Sequence, residues 1–325
     1  MSVMTLVKAI NNALDIELKE NENVVVYGED VGYEGGVFRV TQGLQEKYGV
    51  KRVFDSPLAE SGIVGTAVGM AVAGLKPVVE MQFSGFAYPG FNQMVSHVSR
   101  MRNRSRGKYT SSLVIRMPYG GGIKALEHHS ESMEALYAHI PGLKVVIPST
   151  PHDAKGLLIS AIESEDPVIY MEPKRIYRAV KQEVSEDKFK VQIGKANIVQ
   201  QGTDVTVVSY GAMMRDTQKA IAMAKKAGIS VELIDLRTVY PLDRETIASS
   251  IKKTGRFLSV TEAPKSFGPG GELMAIANEE AFLYLEAPPK RVTGFDTIFP
   301  LPQGEHHYMP TPEKIYYEIE RTVKF

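Results

Sequence analysis

The sequence predicts an α/β protein of two doubly wound domains, each a parallel sheet with helices on both faces. Short Val- and Ile-rich runs recur along the chain and alternate with helix-period stretches, the pattern of βαβ units around buried parallel strands. That alternation lapses once, over 177–203, where charge rises through RAVKQEVSEDKFKVQIGKANIVQQGT. A lapse of this kind marks a crossing between domains, so the division expected is 1–185, a linker 186–202, and 203–325. With 325 residues, 43% of them hydrophobic, the chain has enough apolar mass for two ordinary cores.

The elements follow in order. An amphipathic helix is expected over 5–19, then a strand over 24–27 that runs into the loop GEDVGYEGGVFRV. A strand followed by Gly-Glu-Asp is where a doubly wound sheet places functional loops. Residues 55–74 read DSPLAESGIVGTAVGMAVAG: a strand end, a turn at Ser56-Pro57, then a helix with Glu60 in its first turn. Gly62, Gly65, Gly69 and Ala73 fall at steps of three and four, hence on one helical face. Glycine inside a helix costs roughly 1 kcal/mol against alanine, which predicts a buried helix packed closely against another backbone or a ligand.

A strand over 77–81 leads to the aromatic segment QFSGFAYPGFNQ, then a helix to about 102, the basic loop RNRSRGKYT and a strand over 113–116. The loop MPYGGGIKALEHHSES follows, with Ser130 expected to cap the next helix. A strand over 143–147, a helix over 151–163 and a strand over 167–171 complete the first domain. In the second, strands are expected over 204–210, 231–236, 257–261 and 291–294. Helices are expected there over 212–227, 243–253, 271–281 and 311–323.

Several function classes drop out. Lys plus Arg and Asp plus Glu both total 38, so no net charge points to nucleic acid or an anionic membrane. There is no cysteine, which fits a reducing cytoplasmic interior. No apolar run reaches membrane-spanning length, and Asp15, Glu17 and Glu20 argue against a leading targeting segment. No GxGxxG, Walker or GxSxG motif is found. His128 and His129 are adjacent and cannot chelate one metal from a helix face. Taken singly, Glu60 is an ordinary first-turn acid, Phe86 a core aromatic and His129 a loop anchor. Together, three loops at strand ends supply a carboxylate, an aromatic platform and a histidine. That combination suits a flat heteroaromatic ligand that needs proton transfer near neutral pH.

Over essentially its full length the chain resembles the β subunits of the thiamine-diphosphate-dependent 2-oxo acid dehydrogenases, the decarboxylating first component of those complexes. The resemblance rests on GEDVGYEGGVFRVTQGL, RVFDSPLAESGIVGTAVGMAVAGLKPV, EMQFSGFAYPGFNQ, HHSES, PGLKVVIPSTPHDAKGLL, EPKRIYRA, DLRTVYPLD and RVTGFDT, in that order. It implies an N-terminal domain that binds the pyrimidine of thiamine diphosphate and a transketolase-like C-terminal domain. It implies that Glu60 hydrogen-bonds the aminopyrimidine ring nitrogen, with burial between subunits raising its proton affinity. Phe86, Leu58 and Gln82 would lie against the same ring, and His129 would assist acyl transfer to a lipoyl arm. A structural potassium site would use Leu113, Ala161, Ile162, Ser164 and Asp166.

The GDG-and-asparagine motif for diphosphate and Mg2+ is missing. In the family it lies on an α subunit, which implies an α2β2 heterotetramer sharing the cofactor and serving a dihydrolipoyl acyltransferase. EPKRIYRA and HHSES favour branched-chain 2-oxo acids as substrate, with pyruvate as the alternative. A non-catalytic interface subunit and a split transketolase-like half are the more distant readings.

Overall fold

The computed structural model describes residues 1–325. The chain forms two compact units: residues 1–119 with 136–193, and residues 120–135 with 194–325.

In the first unit the strands Val24–Gly28, Lys76–Glu80, Val114–Tyr119 and Val168–Pro173 are buried along nearly their whole lengths. Continuous Val and Ile runs of this kind require cover on both sheet faces. The spatial order is Lys144–Val146, Val168–Pro173, Val114–Tyr119, Lys76–Glu80, Val24–Gly28, Val53–Asp55, all parallel. Val26 lies opposite Val78, and Ile115 opposite Ile169. From the strand Val24–Gly28 the chain first steps outward to Val53–Asp55, then crosses back to Lys76–Glu80. This reversal opens a crevice at the carboxyl ends of the central strands. Helices Leu6–Glu20 and Pro151–Glu163 pack on each other. The Thr5 and Thr150 hydroxyls cap their N-termini, accepting from the amides of Lys8 and Asp153 at 3.3 and 3.1 Å.

In the second unit the order is Lys290–Val292, Phe257–Val260, Val205–Ser209, Val231–Asp235, Asn197–Gln200. The last strand is antiparallel to its neighbour. Met213–Lys226 and Pro312–Val323 cover one face, burying Ile221, Ile315 and Ile319 against Val205, Val207 and Leu233.

Some expectations change. Residues expected to be linker form the edge strand Asn197–Gln200, because the unpaired edge of Val231–Asp235 offers backbone partners that charge patterning does not reveal. Ser2–Thr5 is a strand, paired antiparallel with Lys181–Val184. The helix expected to run to about 102 breaks after Ser96. Ser130 does not cap a following helix: it ends the 3-10 turn Glu127–His129, and its hydroxyl donates back to the Leu126 carbonyl at 3.0 Å.

Residues 120–135 cluster with the second unit, although they precede the expected boundary in the chain. Carboxylates far along the chain hold this loop. Gly121 N donates to Glu262 Oε2 at 2.8 Å and Lys124 N to Glu305 Oε2 at 3.0 Å. Tyr210 Oη donates to Glu134 Oε1 at 2.7 Å. A Cβ at Gly121 would sit 2.5 Å from the Phe299 ring, so the glycine is there for close packing.

Candidate active site

Three chain segments of the first unit meet at its crevice. After Gly28 come Glu29, 7% exposed, and Asp30, held at φ +57°. The loop beyond is tied down: Gly36 N donates to Asp30 O at 2.7 Å, Thr41 Oγ1 to Val31 O at 2.7 Å and Gly32 N to Asp55 Oδ1 at 2.6 Å. After Asp55 the turn brings Leu58 to the surface, 79% exposed, and the helix Glu60–Val72 begins with Glu60 half-buried. After Glu80 come Gln82 and a 3-10 turn, Ser84–Phe86. Gln82 Nε2 donates to Asp30 Oδ2 at 3.1 Å.

Phe86 is half-buried and packs edge-on to Phe83 at 5.4 Å. Phe83 in turn packs edge-on to Phe38 at 5.5 Å, and Phe38 tilts against Tyr177 at 5.2 Å. This aromatic chain holds Phe86 from behind and leaves part of its ring outward.

The helix Tyr88–Ser96 fixes the start of the Glu60 helix. A Cβ at Gly90 would lie 3.1 Å from both the Glu60 carbonyl and Val64, so glycine is required there for contact. From the other side Tyr27 Oη donates to Ile63 O at 2.8 Å. The glycine row itself contradicts the expectation of a buried helix. Ile63, Val64, Ala67 and Ala71 are its buried residues, while Gly62 and Gly69 lie exposed. A Cβ at Gly69 would meet nothing within 4 Å. At Gly69 the close approach that glycine permits is therefore not made inside this chain.

Glu29 lies in the same crevice as Glu60, and reading of the sequence did not single it out, although GED at a strand end was the available signal. Burial raises its pKa, and the nearby carboxylates of Glu60 and Asp30 raise it further.

His129 is half-buried in the loop of the second unit, where its amide donates to Leu126 O at 3.0 Å. Neighbouring His128 lies 3.5 Å from Glu131. The positions expected around potassium lie at the opposite, amino-terminal end of the first unit's strands. There the backbone carbonyls of Leu113, Ala161, Ile162, Ser164 and Asp166 all accept hydrogen bonds from this chain.

A doubly wound unit with an acid and a braced aromatic at its switch point, followed by a second α/β unit, defines a transketolase-like protein. The family described as "Transketolase, pyrimidine binding domain" matches residues 2–180, and "Transketolase, C-terminal domain" matches 194–315. A solved structure described as "Split gene transketolase, inactive beta4 tetramer" has a TM-score of 0.82, covers 99% of each chain and shares 22% identity; it shows the fold alone.

Among curated relatives, "Pyruvate dehydrogenase E1 component subunit beta" of Acholeplasma laidlawii is 58% identical over 324 residues, 100% of this chain and 99% of that one. The proteins so described from Mycoplasma genitalium and Staphylococcus epidermidis are 52% and 50% identical, covering 98% and 100% of both chains. The chain belongs to the family of β subunits of the first, E1 component of 2-oxo acid dehydrogenases, and the match implies thiamine diphosphate as the cofactor involved.

The relatives favour pyruvate over the branched-chain substrates expected from the sequence. Within EPKRIYRA, Glu172 and Tyr177 have a structural role. Glu172 is fully buried and binds Arg116 through Nε at 2.7 Å and Nη2 at 3.1 Å, and it accepts from Tyr177 Oη at 2.5 Å. These two residues of the motif are part of a buried ionic network.

Proposed function

We propose that this chain is the β half of an α2β2 E1 enzyme that decarboxylates pyruvate with thiamine diphosphate and passes the acetyl group to the lipoyl arm of a dihydrolipoyl acyltransferase. The observation that carries the proposal is the place of Glu60. It stands half-buried at the start of the helix that follows the sheet's switch point, in a chain 58% identical over its length to a pyruvate dehydrogenase β subunit.

The residues present fit the pyrimidine half of the cofactor. Phe86 supplies a ring face, Leu58 an aliphatic surface, Gln82 an amide oriented by Asp30, and Glu60 an acid. The diphosphate half and its Mg2+ are assigned to the α subunit, because the GDG-and-asparagine motif of the family is missing from this sequence. An exposed Leu58 and an open glycine row beside the acid support a site completed by another chain.

When bound, the cofactor supplies the electron sink for loss of carbon dioxide from a 2-oxo acid. Glu60 Oε holds or gives the proton at the pyrimidine ring nitrogen. Glu29, whose proton affinity burial and the Glu60 charge raise, stands in the same crevice as a second acid. Phe86 and Leu58 exclude water from one ring face, and His129 donates a proton during acyl transfer.

The test is a turnover assay with the α partner, thiamine diphosphate and Mg2+, following carbon dioxide from pyruvate and from branched-chain 2-oxo acids. Pyruvate is expected to lead in kcat/KM by about tenfold or more, the discrimination a pocket gains against extra methylenes. A preference for branched-chain acids refutes the substrate assignment.

A further inference from the structure

The helix Pro151–Glu163 ends with no basic residue in its last turn. Unpaired carbonyls and the negative end of the helix dipole gather at such an end and attract a cation. This end lies where the parallel strands start, and donors from the same chain meet it. Ile162 O accepts from Lys76 Nζ at 2.9 Å, with Ser112 Oγ 3.2 Å from the same ammonium. Ser164 O accepts from Ser112 Oγ at 2.7 Å, and Asp166 O from Ser164 Oγ at 2.9 Å. Ala161 O accepts from Ser164 N at 3.2 Å, and Leu113 O is bound by Val168 N at 3.1 Å.

Two more cations stand close by. Lys144 Nζ lies 3.1 Å from Ser164 Oγ and 3.2 Å from the Asp166 carboxylate. Arg102 reaches Asp166 at 2.8 Å and Glu165 at 3.1 Å. The one carboxylate among the five positions is thus matched twice. These residues do not fit a potassium cage.

We propose that the Lys76 ammonium is this chain's built-in structural cation, capping the helix Pro151–Glu163 and tying it to the strand starts, so that the fold needs no potassium ion there. An ammonium and a potassium ion carry the same single charge and both take oxygen neighbours. A second cation beside Lys76 would meet like-charge repulsion and would have to displace donors already in place. Burial holds the Lys76 pKa below its ordinary value, and the charges of Glu17, Glu163 and Glu165 offset part of that effect. A bound ion stabilises by mass action and is lost on dilution. A lysine of the same chain is always present.

Calorimetric unfolding of the full-length chain in potassium, sodium and choline chlorides at equal ionic strength tests this. The expected Tm is the same in all three to within about 1 °C, as for a fold with no ion-linked term. A saturable rise in potassium alone overturns the proposal. Lys76→Met keeps the stem and removes the charge, and its Tm in choline chloride is expected to fall by about 5 °C. A variant that unfolds at the wild-type temperature overturns the capping role. A measurement that does not depend on the variant is anomalous scattering from wild-type crystals grown with thallium(I), a potassium mimic. No peak is expected beside the Ile162 and Ser164 carbonyls, and a peak there overturns the proposal.

Discussion

Glu134 follows the His129 loop at the start of a short helix and should make the second unit's stability depend on pH. Its side chain is fully buried. Oε1 accepts from Tyr210 Oη at 2.7 Å, while Oε2 is buried without a partner. Burial, reinforced by the Glu262 charge, raises its pKa from 4.5 to about 7. A carboxyl raised in this way contributes its full stability below its unfolded value. That contribution is lost as pH rises through the folded value. The window is therefore about pH 4.5 to 7, and each pH unit crossed costs about 1.4 kcal/mol. The bound is about 3 kcal/mol, reached above neutrality. Glu134→Gln keeps an oxygen for Tyr210 and cannot ionise, so it removes the pH-linked loss.

With no tryptophan in the chain, calorimetry and circular dichroism are the suitable readouts. Between pH 5 and pH 8 the Tm of Glu134→Gln relative to wild type should climb by roughly 5–10 °C, the scale on which a few kcal/mol moves a unit of this size. The order is unusual, since the substitution of a buried hydrogen-bonded acid is expected to stabilise at alkaline pH. Parallel Tm profiles for the two proteins would show that Glu134 stays ionised throughout and that the reasoning is wrong.

Glu60→Gln should cut carbon dioxide release by at least about 100-fold, the usual contribution of a placed proton donor or acceptor. Its Tm should stay within about 1 °C of wild type, because Glu60 is half-exposed and a surface substitution costs little; a near-normal rate would remove the acid from the mechanism. His129→Ala should slow acetyl transfer to a lipoyl domain much more than turnover with an artificial electron acceptor, and equal losses in the two assays would reassign it to positioning. Arg116 lies 1% exposed between Glu80 at 2.7 Å and Glu172 at 2.7 Å. Arg116→Met leaves both acids buried and unpaired and should cost about 3–5 kcal/mol in urea unfolding. The deficit should shrink toward acid pH, because burial already raises the Glu80 pKa and protonation removes the stranded charge.

Much of this protein could be read from local sequence, because local physics decides it. Runs such as 24–28 and 76–80 can be buried on both faces only in a parallel sheet, and both are. Thr5, Thr150, Asp243 and Thr311 cap helices through their own side chains, a contact spanning three residues. Glu60 at the start of its helix follows from the Ser56-Pro57 turn and the periodic residues behind it.

What tertiary structure decided lies at long separation. Gly121 meets Glu262 across 141 positions, and that contact, not periodicity, assigns the His129 loop to the second unit. Lys76 reaches Ile162 across 86 positions and supplies the cation that the helix's own last turn lacks. Glu172 looks like a specificity motif in sequence and proves to be a buried partner of Arg116. The glycine row shows the division most clearly. Its spacing states that something must come close; at Gly65 it is the Gln93 side chain, but at Gly69 no residue of this chain comes near. Periodicity can specify which face of an element is special. Only the three-dimensional path of the chain determines what that face meets.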